Sequence, residues 1–385
     1  MFKVAVGHSI DPDSQMAINE VISQCQQQLA NDSPQAGILL SALDFDHGLI
    51  LRQIQATFPD IALIGGTTVG EMSSMMNFQE DSLSLMLFAS DEVEILAGMG
   101  TGVSKDAIAA TQQAIPNLNG AAPKLCYTVS EGLGVDGVAI VNGLQAALGN
   151  NHVPIFGGMA GDSWKFQQTY QFFGDQVLTD AVTTLVFSGN LIVSSGVATG
   201  LHPIGSKGTV TKAEGNTVHT IDDQSVKHFY AQYLGDTSIT DVGGAWGGSV
   251  AVFEPGEDNF YVRGPNSQDE ASGSMDYFGQ VPEQAQIQLT ESNTEDLLEA
   301  ASQALKKAQT SYQGNQPSAA LIVSCAARMK SLGTRTRDEY AIAQSILGKL
   351  PNIGFHAYGE ICPLNSTGRS FFHNETFTTV LLGTH

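Results

Sequence analysis

Three short segments of the chain combine glycine with an acidic residue in a way that suits ligand binding. They cover residues 65–71, 157–162 and 354–360, and we call each one a glycine–acid corner. Glycine lets the backbone approach a ligand closely, and neighbouring backbone N–H groups can bind a small anion or a carboxylate. A plain turn between strands is the alternative. The candidate binding residues in these corners are Gly65, Gly66, Thr67, Gly157 and Gly158.

The acid of each corner has a catalytic and a structural interpretation. Glu71, Asp162 and Glu360 have the chemistry of general bases. All three corners carry such an acid, however, and three equivalent bases in one enzyme would be unusual. We therefore favour a structural role, in which each carboxylate accepts hydrogen bonds that fix its turn. The corners lack the lysine of a phosphate loop and the GxGxxG spacing, which argues against nucleotide binding.

Three histidines are candidate ligands for a cofactor or a metal. His356 lies inside the third corner beside Phe355 and Tyr358, whose rings suit the wall of a ligand pocket. His202 and His373 stand in other apolar segments. For each of them a hydrogen-bonded core histidine is the alternative. The nine histidines show no zinc-site pairing at three- or four-residue spacing.

Two further side chains suggest chemistry just after a predicted strand. Cys325 is a candidate thiol nucleophile, although a buried and inert cysteine is the more common case. Arg328 is a candidate clamp for a ligand carboxylate. Neither GxSxG nor HExxH occurs, and no base stands at a recognisable spacing from a nucleophile. We therefore expect a binding protein rather than an enzyme.

The elements that position these residues are written three times along the chain. Apolar strands that end in serine occupy residues 37–41, 125–130 and 320–324. A helical pattern, a proline, a glycine–acid corner and a second apolar strand follow each one, and those last strands cover 81–88, 180–187 and 375–382. The pattern predicts an α/β fold with mixed β-sheets flanked by helices and built from repeated strand-helix-strand-strand units.

Two domains are expected from the length of 385 residues, with limits at 1–120 and 121–385. The boundary follows a stretch rich in Asn, Gly, Ala and Pro. Residues 265–279 are polar and rich in small residues, which predicts a mobile loop.

Composition excludes several classes of function. The 39 acidic and 17 basic residues give a formal net charge of -22, which would repel nucleic acid and anionic membrane surfaces. No apolar run reaches the roughly 20 residues that a membrane-spanning helix needs. The four cysteines form no CxxC pair, which is typical of free thiols in a reducing compartment. We expect a cytoplasmic protein, and its oligomeric state is left open.

The same motifs resemble the FIST family over nearly the whole chain. Residues 65–71 are similar to the Gly-Cys-Ser-Thr-Ala-Gly-Glu stretch of the N-terminal FIST domain, and 156–162 match the Gly-Gly-x-Ala-Gly-Asp of the C-terminal domain. The endings at 354–360 and 372–376 are the most specific part. The resemblance implies a sensory module that binds a small ligand in signal transduction.

The resemblance also implies a partner and a cofactor. No output domain follows, so the protein would signal in trans to a histidine kinase or a cyclic-di-GMP signalling protein. Stand-alone bacterial members include nitric oxide sensors with non-covalent haem b held by a neutral histidine. His356 and His202 differ from the residues usual in the family, whereas His373 belongs to its general pattern. His356 is therefore the first candidate for the axial ligand, and His202 the next.

Three hypotheses remain open at this point. The first is a haem-dependent nitric oxide sensor. The second is a sensor of an amino acid or another small anion, without haem, that uses the glycine corners and Arg328. The third is a thiol-dependent hydrolase that uses Cys325.

Overall fold

The computed structural model describes residues 2–149, 153–235, 248–256, 259–364 and 368–385. In this part of the chain, three units share one topology, and a fourth sheet is inserted in the third unit. The first unit contains β1 (Phe2–Ser9), α1 (Ser14–Leu29), β2 (Ala36–Ser41), α2 (His47–Thr57), β3 (Ala62–Thr67), β4 (Glu71–Ser73), β5 (Asn77–Gln79) and β6 (Leu83–Ser90).

The second unit repeats this order. It contains β7 (Val93–Thr101), α3 (Ala107–Ala114), β8 (Pro123–Ser130), α4 (Gly137–Ala147), β9 (Ile155–Met159), β10 (Gln171–Phe173), β11 (Gln176–Leu178) and β12 (Ala181–Gly189). Aspartates cap these helices, because the carboxylates of Asp106 and Asp136 accept hydrogen bonds from backbone N–H groups of the first turn.

The third unit begins with β13 (Ile192–Ala198) and is then interrupted by a mostly antiparallel domain. The inserted domain contains β14 (His202–Glu214), β15 (Thr217–Ile221), β16 (Gln224–Ser225), α5 (Val226–Leu234), β17 (Val250–Phe253), β18 (Tyr261–Arg263), β19 (Pro265–Gln268), β20 (Met275–Tyr277) and β21 (Gln286–Glu291). Residues 265–279, expected to form a loop, thus contain two paired strands.

After the insertion the third unit resumes with one helix, a strand and then two further helices. The remaining elements are α6 (Thr294–Ser311), β22 (Ala319–Cys325), α7 (Ala326–Leu332), a 3-10 turn (Gly333–Arg335), α8 (Thr336–Leu347), β23 (Asn352–Ala357), β24 (Glu360–Pro363), β25 (Ser370–His373) and β26 (Phe377–Gly383). The predicted α/β class, with mixed sheets and a repeated unit, is confirmed. The predicted limits at residue 120 stay a prediction.

The three units exchange their hairpins in a cycle. The hairpin β10–β11 of the second unit adds to β3 of the first, β24–β25 of the third adds to β9 of the second, and β4–β5 of the first adds to β23 of the third. Each six-stranded sheet therefore has the order first strand, last strand, second strand, third strand and borrowed hairpin. Each glycine–acid corner is the point where the chain leaves its own sheet for a neighbouring one.

The inner faces of the three sheets meet in one central core. It includes Ile38 and Ile64 from the first unit, Phe156 from the second, and Leu321 and Phe355 from the third, all fully or almost fully buried. The outer faces carry the helices, and the inserted domain has its own core around Val210 and Tyr277. Exchange of hairpins buries apolar surface between units, which holds them in one arrangement.

Candidate functional site

A cavity of about 650 Å³ lies where the second unit, the third unit and the inserted domain meet. The second unit supplies its turn between β8 and α4 and the start of α3, and the third supplies its corner and the turn between β25 and β26. The volume and the partly enclosed shape are those of small-molecule sites in general. The cavity lining includes Trp164, Phe166, Tyr277, Phe278, Cys325, Tyr358, Phe372, Asn374 and Glu375.

Aromatic rings form much of the cavity wall. The rings of Phe166 and Tyr358 stack with centroids 5.2 Å apart, and the Trp164 ring lies 6.0 Å from Tyr358 and 6.1 Å from Phe166. Phe166 is 53% exposed although it lines the cavity, so one wall of the site is open to solvent. Such rings bind flat apolar groups and the faces of cations.

Trp164 and Phe166 stand on a strained loop, residues 163–168, that follows the corner acid of the second unit. Ser163, Trp164 and Phe166 have φ of 53°, 67° and 49°, a region that non-glycine residues rarely adopt. The Asp162 carboxylate accepts hydrogen bonds from the backbone N–H groups of Phe166, Gln167 and Gln168 at 3.0, 2.7 and 3.1 Å. Backbone strain of this kind persists where surrounding contacts hold it, often at ligand sites.

The third unit holds the same loop through one phenol. Tyr358 Oη donates to Asp162 Oδ1 at 2.6 Å and accepts from the backbone N–H of Trp164 at 2.9 Å. Burial raises the pKa of Asp162, but the hydrogen bonds from Tyr358 and the loop N–H groups outweigh it and leave that pKa lowered. Asp162 is therefore a charged anchor for the aromatic wall.

Asn374 and Glu375 form a polar patch in the cavity. Asn374 is 4% exposed, and its Oδ1 has no hydrogen-bond partner among the described residues. Glu375 accepts a hydrogen bond from Ser249 Oγ of the inserted domain. Burial raises the pKa of Glu375 to about 7, so this carboxyl changes charge near neutral pH. Acceptors predominate at this end of the site.

Cys325 lines the cavity but has the properties of an inert thiol. It is 5% exposed, and burial followed by the charge of Glu360 raises its pKa well above the ordinary value. The nucleophilic form of cysteine is the thiolate, which this environment disfavours. No histidine belongs to the cavity lining among the residues that the structure describes.

The three candidate histidines lie apart from the cavity and from one another. His356, expected in the pocket, lies on β23 and is 1% exposed. Its ring and that of Phe78 are in edge contact with centroids 5.1 Å apart, and its Nε2 lies 3.6 Å from Glu339 Oε2. His373 is equally buried, and its Nε2–H donates to the Cys362 carbonyl at 2.9 Å. The His202 side chain is 63% exposed on β14.

Haem therefore does not fit the cavity through these residues. His356 Nδ1 has no hydrogen-bond partner among the described residues, but its ring is enclosed by protein on a face away from the cavity. Burial lowers the pKa of His373 to about 4, which keeps it neutral, yet its Nε2 is already bonded. His202 is free to bind a ligand only at the surface. The structure thus offers the cavity no axial histidine from the part of the chain it describes.

Arg328, expected as a carboxylate clamp, is committed to internal partners. Its guanidinium donates to Glu339 Oε1 from Nε at 2.9 Å and from Nη2 at 2.8 Å, and to the carbonyls of Thr199 and Leu297 at 2.6 Å each. Burial raises the pKa of Glu339, but the Arg328 charge outweighs it and leaves that pKa at about 2. Arg328 therefore anchors the third unit and does not reach the cavity.

The corner glycines serve close packing rather than a ligand. A Cβ on Gly65 would lie 1.8 Å from the Leu39 carbonyl oxygen, and one on Gly157 would lie 1.9 Å from that of Thr128. Gly66 and Gly158 pass close to borrowed hairpins, and Thr67 exchanges hydrogen bonds with Tyr170. Phe355 points into the central core with no exposed surface. Of the predicted binding residues, Tyr358 lines the described part of the cavity, as does the candidate nucleophile Cys325.

The corner acids are hydrogen-bonded as the structural interpretation expects. Glu71 accepts from the hydroxyls of Thr68 and Ser82, and Glu360 Oε2 accepts from the N–H and Oγ1 of Thr376 at 3.0 and 2.8 Å. Burial raises the pKa of Glu71 and of Glu360 to about 8. These carboxyls fix the hairpins that leave each corner.

Sequence reasoning missed Trp164, Phe166, Phe372 and the Asn374–Glu375 pair as site residues. Nothing in the residue types at 163–168 indicates a left-handed backbone, because glycine is absent there. Residues 372–376 did carry a signal, since they belong to the most specific part of the family resemblance. The contribution of the inserted domain depends on tertiary contacts.

The described residues contain neither a metal-binding cluster nor a membrane-spanning helix. No group of three or more His, Cys, Asp or Glu side chains is placed to hold a metal ion. Among the described helices, none combines the length and the apolar character needed to span a membrane.

Comparison with known proteins places the chain in a family. The model of the FIST N domain matches residues 35–224, and that of the FIST C domain matches residues 228–363. Uncharacterized proteins from two strains of Mycobacterium tuberculosis are 23% identical over 405 aligned residues, covering 98% of this chain and 99% of each relative.

Among solved structures, PurLQS from Thermotoga maritima aligns with 11% identity over 100% of this chain and 72% of that one. Its TM-score of 0.23 carries no argument about the fold. The two family models together span most of the sequence, and both halves of the family are present. This chain belongs to the FIST family, with an N domain followed by a C domain.

Proposed function

We propose that this protein is a sensor that holds a small organic molecule in the cavity and does not transform it. A small-ligand sensing role in signalling is consistent with its FIST domains. The observation that carries the proposal is the strained 163–168 loop, which presents Trp164 and Phe166 to the cavity while Tyr358 ties it to the third unit. Strain at a binding loop is typical of preorganised ligand contact.

The same loop offers a route from the ligand to the rest of the molecule. Lys165 Nζ forms an ion pair with Asp44 of the first unit at 3.0 Å, and Lys330 Nζ of α7 lies 4.6 Å from the centroid of the Trp164 ring. A ligand that favours one loop conformation would shift these contacts with it. The partner that reads the shift is proposed to be a histidine kinase or a cyclic-di-GMP signalling protein.

The chemistry of the lining favours binding over catalysis. Cys325 is held as a thiol, and the lining among the described residues contains no histidine that would activate it. The hydrolase hypothesis therefore has no histidine base beside Cys325 in the described lining. The second hypothesis requires Arg328 to bind a small anion, but the Arg328 guanidinium is paired with Glu339.

Haem-dependent nitric oxide sensing remains a separate proposal, supported by the family resemblance of the sequence. Its test is the absorption spectrum of the purified protein titrated with haemin, then reduced and exposed to nitric oxide. A Soret band that persists in the wild type and is lost in His202→Ala or His356→Ala would support it. Absence of a saturable Soret band would exclude it.

The small-molecule proposal is tested by native mass spectrometry of the full-length protein mixed with a small-molecule cell extract. We expect a discrete adduct that Trp164→Ala weakens, because the substitution removes an aromatic wall of the cavity. Tyr312→Phe, far from the cavity lining, is the matched control and should keep the adduct. No adduct in the wild type, or an adduct unaffected by Trp164→Ala, would overturn the proposal.

A further inference from the structure

We propose that the cavity selects a molecule with a protonated amine on an apolar or aromatic body. The inference rests on the proposed function and adds the chemical class of the ligand. It depends on three features of the described residues. They are buried hydrogen-bond acceptors that have no donor partner, more acidic than basic residues in the cavity lining, and aromatic rings in the cavity wall.

The polar patch of the cavity asks for hydrogen-bond donors. Among the described residues, Asn374 Oδ1 is buried with no hydrogen-bond donor, and the neighbouring Glu375 carboxyl accepts a hydrogen bond from the Ser249 hydroxyl. Glu360 Oε1, which adjoins the same turn through Thr376, is also buried without a hydrogen-bond partner in the described part of the chain. An ammonium group carries three hydrogen-bond donors and no acceptor, so it satisfies such a patch. A ligand carboxylate, which carries acceptors and a negative charge, would be repelled by the patch.

Charge at this patch also favours a cation. Arg328 is the cation whose charge acts on both Glu360 and Glu375, and it is already paired with Glu339. Arg263 lies behind Phe372 and donates to the carbonyls of Phe372, Val262 and Gln280. Lys105 is the one basic residue in the described lining, and it is exposed to solvent. The same lining contains two acidic residues, Asp136 and Glu375.

The walls supply the apolar and cation-binding surface. Six aromatic residues line the cavity within the described part of the chain. The face of such a ring attracts an ammonium group, and the attraction grows when water is excluded. They are Trp164, Phe166, Tyr277, Phe278, Tyr358 and Phe372. Lys330 already lies 4.6 Å from the Trp164 ring centroid, which shows that this ring accepts a cation. Rings together with a buried carboxyl are the combination that recognises organic amines.

The test compares three probes that share one ring and differ in charge: phenethylamine, 2-phenylethanol and 3-phenylpropionate. Isothermal titration calorimetry of the full-length protein should show that phenethylamine binds at least about tenfold more tightly than the alcohol, a difference equivalent to one charge-assisted hydrogen bond. The propionate should bind most weakly. Glu375→Gln should remove most of the affinity advantage of the amine over the alcohol.

Asp81→Asn is the matched control, because Asp81 precedes β6 as Glu375 precedes β26 but is exposed and remote from the cavity lining. It should leave all three affinities unchanged. If Glu375→Gln does not fold, Asn374→Leu removes the neighbouring acceptor and should lower the amine affinity in the same direction.

The outcomes separate this inference from the proposed function. Equal affinity for the amine and the alcohol, or preference for the propionate, overturns the inference and leaves a small-molecule sensor. Binding of none of the three probes overturns the inference too, while the extract experiment judges the sensor proposal independently. An amine preference that survives both Glu375→Gln and Asn374→Leu places the amine elsewhere and also overturns it.

Discussion

Tyr358 Oη donates to Asp162 Oδ1 at 2.6 Å, and this bond joins the glycine–acid corner of the third unit to that of the second. The two residues are 196 positions apart in the chain. The same oxygen accepts from the Trp164 N–H, so one phenol holds both the anchor and the aromatic wall of the 163–168 loop. Tyr358 therefore takes part in the cavity wall, in the hydrogen bonds that hold the strained loop and in the junction between the two units.

Replacing Tyr358 with Phe tests this junction, because the change removes the hydroxyl and keeps the ring that stacks on Phe166. We expect a loss of about 2 kcal/mol in the free energy of unfolding, since Asp162 is charged and loses a buried donor. We also expect a changed emission from Trp164, measured in a Trp246→Phe background. Tyr233→Phe is the control: it loses hydrogen bonds to Ser206 in the inserted domain and should leave that emission unchanged. Unaltered Trp164 emission in Tyr358→Phe would refute the anchoring role.

Gly157→Ala tests the close packing that the corners require. A Cβ there would lie 1.9 Å from the Thr128 carbonyl oxygen within the sheet that receives β24, so strands must separate. We expect a loss of about 3 kcal/mol or more in the free energy of unfolding, measured by urea denaturation. Gly120→Ala also has a positive φ of 85° but no atom within 4 Å, so it should cost only about 1 kcal/mol. Equal costs at the two positions would mean that backbone strain, not packing, sets the requirement for glycine.

The Arg328–Glu339 pair should be strongly coupled. Removing the guanidinium in Arg328→Met leaves the Glu339 charge buried, which we expect to cost about 3–5 kcal/mol of unfolding free energy. Adding Glu339→Gln should restore part of that loss, because the uncompensated charge disappears. Arg335→Met breaks exposed ion pairs with Glu295 and Asp338 and should change stability by less than about 1 kcal/mol. A double variant as unstable as the sum of the two single variants would contradict the coupling.

Stability should fall as the pH rises from 6.5 to 8. Burial raises the pKa of Glu71 and Glu360 to about 8 and of Glu375 to about 7, from an ordinary value of 4.5, so the folded state binds more protons than the unfolded state in this range. Their contribution is complete below pH 4.5 and is lost as the pH rises through the folded values, at about 1 kcal/mol per pH unit for each carboxyl.

The buried histidines have the opposite dependence but act at lower pH. Burial lowers the pKa of His8 and His373 from 6.5 to about 4, so their contribution is present above pH 6.5 and is lost as the pH falls towards 4. Above pH 6.5 the carboxyls therefore dominate. Urea denaturation at several pH values should show a flatter profile in Glu71→Gln, and an unchanged slope would show that Glu71 does not titrate in this range.

Local patterns were enough to predict the elements and their repetition. The apolar strands β2, β8 and β22 and the helices after them were recognisable because burial on one face sets the period of apolar residues, although β22 ends at Cys325 rather than at Ser324. The exchange of hairpins was not predicted, since β4, β10 and β24 look like any short strand beside a turn. Their partners lie in other units, and hydrogen bonds between distant strands leave no local signal in the sequence.

For the candidate site, residue types and their order indicate the glycine–acid corners and the grouping of Phe355, His356 and Tyr358 within one of them. Which of these side chains faces the cavity depends on the fold, because alternation along β23 turns Phe355 into the central core and His356 to the outer face. Tyr358 lies just beyond the strand and reaches Asp162. The strained loop with Trp164 and the polar pair Asn374 and Glu375 come to the same place because three segments far apart in the chain pack together. Side-chain direction follows from strand period and register, and register across units is fixed by packing that a linear sequence does not display.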